Sequence, residues 1–222
     1  MNMIKSLKVA GAFLVFSMNL TAQDISFNIE VTSPKSTEPM SMKVVSNATK
    51  IAIFPNFAGD KSDTRFLIDN TTNQKYVLMI NNGQKIAMAV NNFEVEKATE
   101  AIKEPKITST KEVRTIDGYK CTKIIAESDE ETSDIWLTQE AGLSYNELYK
   151  IFNSTKNTPG ARRSLPSLKN VQGFPIEIIT KDKAKDRNVT IRIKNISRAK
   201  TDPQMFSMDG YKVVDMTKKV SH

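Results

Sequence analysis

Along most of the chain apolar and polar residues alternate with a period of two, the mark of strands with one dry face. Ile25, Phe27, Ile29 and Val31 interleave with Ser26, Asn28, Glu30 and Thr32. Met40, Met42 and Val44 repeat the pattern after a proline-containing turn, and 51–54 is a shorter apolar run before the turn-rich PNFAGDKSD. Strands are expected at 64–69, 75–80 and 84–90, joined by DNTTN and NNGQ, whose Asn and Gly residues accept the positive φ of tight hairpins. Residues 93–104 read as a short helix or a loop. Beyond Pro105, 107–116 pairs with 119–127 across Asp117-Gly118, and the acidic tip Ser128-Asp129-Glu130-Glu131 returns the chain through 133–138 as a three-stranded meander. Phe174, Ile176 and Ile178, then Val189, Ile191 and Ile193, alternate again; Phe206 and Met208 open a last extended piece that Asp209-Gly210 turns toward Tyr211, Val213 and Val214.

One segment changes period. Ser144 and Glu147 have the spacing of a capping box, and Tyr145, Leu148, Tyr149 and Phe152 then fall at i, i+3, i+4 and i+7, one apolar stripe of a helix over 144–152 that Pro159-Gly160 ends. Two strands are apolar on both faces, Tyr76-Val77-Leu78-Met79-Ile80 and Ile135-Trp136-Leu137, so each needs cover on both sides. The pattern predicts a mainly β (α+β) fold. It is a curved antiparallel sheet or half-open barrel of about eleven strands, with one or two helices covering the concave face.

Residues 1–22, MNMIKSLKVAGAFLVFSMNLTA, have the layout of a secretory signal peptide: Lys5 and Lys8, an apolar stretch, then a small residue, Ala22. The stretch is well short of the roughly 20 residues that span a bilayer, and no later segment is apolar enough to do so. The expected organisation is a signal peptide over 1–22 followed by one β-rich domain over 23–222, exported and periplasmic, outer-envelope associated or secreted. The formal charge of +7 loses Lys5 and Lys8 with the signal, and the remaining lysines mostly interleave with acids, as in Lys181-Asp182-Lys183-Ala184-Lys185-Asp186-Arg187. Nucleic-acid binding needs a basic stripe with stacking aromatics, and none is apparent.

Catalytic chemistry finds little to stand on. The one histidine, His222, is the last residue, which argues against Ser-His-Asp, Cys-His and His-ligated metal mechanisms. Cys121 sits mid-strand and reads as a small buried hydrophobe. The acids Glu127, Asp129, Glu130, Glu131 and Asp134 lack the spacing of a calcium loop and read as a solvated tip. No catalytic residue, metal ligand or cofactor is assigned.

The stretch TIDGYKCTKIIAESDEETSDIWLTQE, residues 115–140, resembles a family of exported bacterial proteins known as domain of unknown function 4412. The order of its neighbours fits as well: YVLMINNGQKIAMAVN upstream, GFPIEI downstream and a closing DGYK, together spanning 62–215. The resemblance implies the lipoprotein-carrier superfold, an incomplete antiparallel barrel whose concave face receives acyl chains in characterised relatives. On that implication the expected function is an exported, non-enzymatic binding protein for an acyl chain or lipidated partner. The alternative is an envelope protein-interaction module without a small-molecule ligand. The methionines bear on this choice both ways, because flexible thioethers adapt to varied apolar shapes and also fill irregular cores, and core filling is the better reading of them. The residues expected to line a pocket are Phe27, Met40, Met42, Met79, Met88, Trp136, Leu148, Phe152 and Phe206.

Overall fold

The computed structural model describes residues 24–34, 39–56, 63–90, 104–146, 148–149, 168, 171–184 and 187–215. Among these residues twelve strands are present: β1 (Ile25–Thr32), β2 (Met40–Ser46), β3 (Lys50–Asn56), β4 (Arg65–Asp69), β5 (Gln74–Asn81), β6 (Gln84–Val90), β7 (Lys106–Ile116), β8 (Tyr119–Glu127), β9 (Glu131–Thr138), β10 (Phe174–Asp182), β11 (Arg187–Ser197) and β12 (Lys212–Asp215). All join one open, curved sheet in the order β12-β6-β5-β4-β3-β2-β1-β11-β10-β9-β8-β7. Neighbours are antiparallel except β12 and β6, which run parallel, so the sheet is mixed.

Turn chemistry sets the hairpins. Asn82 and Gly83 have φ of 49° and 77°, and Asp117 and Gly118 have 49° and 86°; two successive positive φ values match the twist of the strands they join. Elsewhere a side chain replaces a backbone partner. Asn47 Oδ1 accepts from the Lys50 amide at 2.7 Å between β2 and β3, and Asp69 Oδ1 accepts from the Thr71 amide at 2.9 Å between β4 and β5.

Register then distributes side chains between two faces. Phe27, Val44, Ile53, Phe66, Val77, Met88 and Val214 align in one cross-strand row, which defines the front. On the other side of β1 the front continues through Ile191, Ile178, Ile135 and Ile124. A first core lies on this front: Phe27, Ile29, Val44, Ile53, Ile178 and Ile193 are buried together with Ala141, Tyr145, Leu148 and Leu168 from outside the sheet. Phe27 and Phe174 meet edge to face at 5.7 Å. A second core lies behind β2–β6, where Val45, Ala52, Leu67, Leu78 and Ala87 are buried under Phe206. Each fully buried aliphatic or aromatic side chain contributes about 1.5–3 kcal/mol.

Two expectations change, while the described residues hold twelve strands against the about eleven expected. The helical layer over the concave face is not found among the described residues. Tyr145, Asn146, Leu148 and Tyr149 make one helical turn, with the Leu148 amide donating to the Ser144 carbonyl at 3.5 Å, while Glu147, Ile151 and Phe152 lie outside the described residues. Phe206 belongs to a 3-10 turn, Pro203–Phe206, not to an extended piece: Asp202 Oδ1 accepts from the Gln204 amide at 2.9 Å and Pro203 sets the first turn.

Candidate functional site

One of the two strands expected to need cover on both faces, β5, receives it on one only among the described residues. Along β5, Tyr76 and Leu78 point back toward the second core, whereas Val77 and Met79 point forward. Val77, Met79, Ile86, Met88, Val90 and Val214 form a front patch across β5, β6 and β12, and each is half-buried. Among the described residues none of the six belongs to either core or packs against one. The patch runs into Phe66 and Met42, which do pack against the first core. Across β2–β6 and β12 the front carries two ionisable side chains, Lys75 and Lys212, and no acid.

Behind the same strands the chain between β11 and β12 forms a strap, held chiefly by Arg65. Its guanidinium donates to the carbonyls of Met205 at 2.9 Å, Gln204 at 3.2 Å and Ser207 at 2.6 Å, and lies 5.8 Å from the ring centres of both Phe54 and Tyr211. A lysine has neither the fork nor the planar cation for this arrangement. Lys85 Nζ lies 5.7 Å from the centre of the same Tyr211 ring.

Several other ionisable groups are committed to structure. Glu177, 3% exposed, is clamped by Arg114 and by Arg192, the latter at 2.5 Å. These lie in a back-face row of Glu30, Arg192, Glu177, Trp136 and Lys123. Arg114 stacks 4.1 Å over the Trp136 ring, and Lys123 bonds Glu112 at 3.1 Å and Asp134 at 3.3 Å. Glu112 also holds the Lys123 ammonium above its ordinary pKa, and the Glu177 hydrogen bond does the same for Arg192. Burial pushes the Cys121 thiol up, away from the reactive thiolate, and raises the Tyr145 hydroxyl. The acidic tip and the Lys183 tip, both read as solvated, meet: Lys183 Nζ bonds Glu127 and the Ser128 carbonyl at 2.8 Å each. Among the described residues no cluster of three or more His, Cys, Asp or Glu side chains is arranged to hold a metal ion.

The nine residues expected to line a pocket separate accordingly. Phe27, Met40, Met42, Met79 and Met88 share the front face. Phe27 is buried in the first core, with Leu148, while the four methionines are half-buried. Trp136 is buried with the first core but aligns with the charged row on the back, under Arg114, and Phe206 lies behind the sheet in the second core. Phe152 lies outside the described residues. Sequence reasoning passed over Lys75, Val77, Ile86, Val90 and Val214. Their signal is the front-back assignment of β5 and β6, which follows from alternation once one face is known to be covered.

The family model described as Domain of unknown function (DUF4412) matches residues 19–210, and the chain belongs to that family. The match begins upstream of the stretch on which the resemblance rested and takes in β1–β3. Among solved structures the chain is similar to PNGF-II, at 14% identity over 87% of this chain and 31% of that one, TM-score 0.44. It is similar to a DUF1329 family protein from Desulfovibrio piger, at 10% identity over 86% and 92% of the two chains, TM-score 0.38. It is also similar to the LolA superfamily protein NE2245 from Nitrosomonas europaea, at 9% identity over 85% and 90%, TM-score 0.35. The chain spans about a third of the length of the PNGF-II structures it matches. No curated protein matches the sequence.

Proposed function

We propose that this member of the DUF4412 family is an exported, non-enzymatic binding protein that shelters an acyl chain, free or attached to a partner, against the front of β5 and β6. The observation that carries the reading is the half-buried patch of Val77, Met79, Ile86, Met88, Val90 and Val214, which among the described residues packs into neither core. Patches of contiguous apolar surface on a folded domain mark binding sites. Its two methionines supply adaptable thioether contacts for a ligand without a fixed shape. Burying about ten methylenes at ~0.8 kcal/mol each gives roughly 8 kcal/mol before association costs, enough for reversible capture. The signal-peptide layout of residues 1–22 supports an address in the envelope or outside the cell. The commitment of Glu177 to two arginines and the burial of Cys121 favour binding over catalysis.

Native mass spectrometry of protein purified from its own host is the test. Co-purifying lipid, and uptake of a fluorescent fatty acid that Met88→Glu abolishes, is the expected result; a repeatedly empty protein that takes up none overturns the reading. A second reading, an interaction module for another envelope protein, is favoured by β7. This edge strand is exposed over nearly its whole length, with Ile107 at 37% and Val113 at 52%, and such an edge accepts an added strand. Crosslinking from β7 to a host protein, with the front patch empty, would select it.

A further inference from the structure

The open patch is bordered by a cation that nothing in the described structure neutralises. Lys75 aligns with Ile68 of β4 and Val90 of β6, so its side chain projects from the front at one end of the apolar surface. It is half-buried and has no hydrogen bond or ion pair among the described residues. The other half-buried lysines of the sheet are paired: Lys194 with Glu30 at 2.6 Å, Lys123 with Glu112 and Asp134, and Lys50 with Asp69 at 4.0 Å. The front of β2–β6 and β12 offers Lys75 no acid at all. Val77 and Met79 follow on the same face of β5, each about 6.8 Å further along the strand, so an extended hydrocarbon starting at Lys75 runs directly onto the patch. The other front-face cation, Lys212, is exposed on the edge strand β12 beside Ile86.

We propose that the patch selects a single-chain amphiphile with an anionic head, a long-chain carboxylate, whose head pairs with Lys75 and whose chain lies over Val77, Met79 and Met88. The inference rests on the acyl-binding reading above and adds the charge and orientation of the ligand. One ammonium matches one singly charged carboxylate, whereas a phosphate head calls for several donors or an arginine fork. A partly desolvated pair of this kind is a modest but selective contribution, because the uncharged ligand leaves the ammonium unmatched.

The experiment measures binding of palmitate and of methyl palmitate to the full chain and to the variants Lys75→Met and Lys212→Met, at a pH where palmitate is ionised. Methionine keeps the aliphatic stem of the lysine, so the apolar border is retained. The unaltered protein is expected to bind palmitate about fivefold to tenfold more tightly than the ester. Lys75→Met should lose that preference while keeping its affinity for the ester and its melting temperature; Lys212→Met should keep the preference. Equal affinities in the unaltered protein, or a preference that survives Lys75→Met, overturns the assignment of Lys75 and leaves acyl binding standing. Binding of neither ligand overturns acyl binding itself, and the inference with it.

Discussion

Across the sheet the cover changes sides. At β1, β10 and β11 the front is closed by Tyr145, Leu148 and Leu168, and the back carries the row of Glu30, Arg192, Glu177 and Trp136. At β4, β5 and β6 the back is closed by the strap through Phe206, and the front carries Val77, Met79, Ile86 and Met88 half-exposed. One continuous hydrogen-bonded sheet thus supports two opposite arrangements. The difference teaches where the proposed ligand surface lies: a strand that is apolar on both faces, but covered on one among the described residues, presents the other to something outside them. At β1, β10 and β11 the back is lined by paired charges, with Trp136 under Arg114.

The comparison can be pressed hardest at the two phenylalanines. Phe27→Ala removes a ring at the centre of the first core and should cost about 3–5 kcal/mol in urea unfolding. Phe206→Ala should cost about 2 kcal/mol, because the strap can settle against the sheet. Equal losses would mean that the two halves share one cooperative core. Next in size, Arg65→Met deletes three bonds to strap carbonyls and should weaken that region by about 2 kcal/mol. Hydrogen exchange should then accelerate at β12 and the outer edge of β6 while β1 and β11 stay protected; slowed or unchanged exchange at β12 would show that Arg65 does not hold the strap.

Acid gives the smallest effect. Asp24 Oδ2 accepts from the Thr201 amide and hydroxyl, both at 2.6 Å, tying the start of β1 to the start of the strap. The hydroxyl bond leads in holding its carboxyl below the ordinary Asp range. Since the folded pKa is the lower one, the unfolded chain takes up the proton first. The contribution is present above the ordinary Asp value and is lost as pH falls through the folded one. Asp24→Asn should flatten stability against pH in that window, and an unchanged profile would mean that the tie is not thermodynamically felt.

Much of this architecture was readable in the residues. Alternation located the strands, and Asn82-Gly83 and Asp117-Gly118 fixed two hairpins, because only a few residues accept successive positive φ values. Those signals are local. Which face of β5 is covered depends on the strap some 130 residues later, and no short-range pattern encodes it. Trp136 and Phe206 were therefore grouped with the methionines although they lie on the opposite face. The 3-10 turn was overlooked despite Asp202-Pro203, a local start signal outweighed by the apolar spacing of Phe206 and Met208. Glu177 was legible in principle: a lone acid in the run Phe174-Pro175-Ile176-Glu177-Ile178 is either exposed or demands a cation, and here it has two.

The placement of β1 has a consequence for how the chain is made. β1 sits between β2, its immediate successor, and β11, which starts at Arg187. The six strands β1–β6 can zip as consecutive hairpins, but one flank of β1 stays unpaired until β11 is made. The outer flank of β6 waits longer still, for Lys212–Asp215. Contacts so distant in sequence are slow to close, and bare strand edges invite aggregation meanwhile. A chain cut short before Lys212 would leave the β6 edge open to its own copies, so these four residues shield the sheet from edge-to-edge pairing.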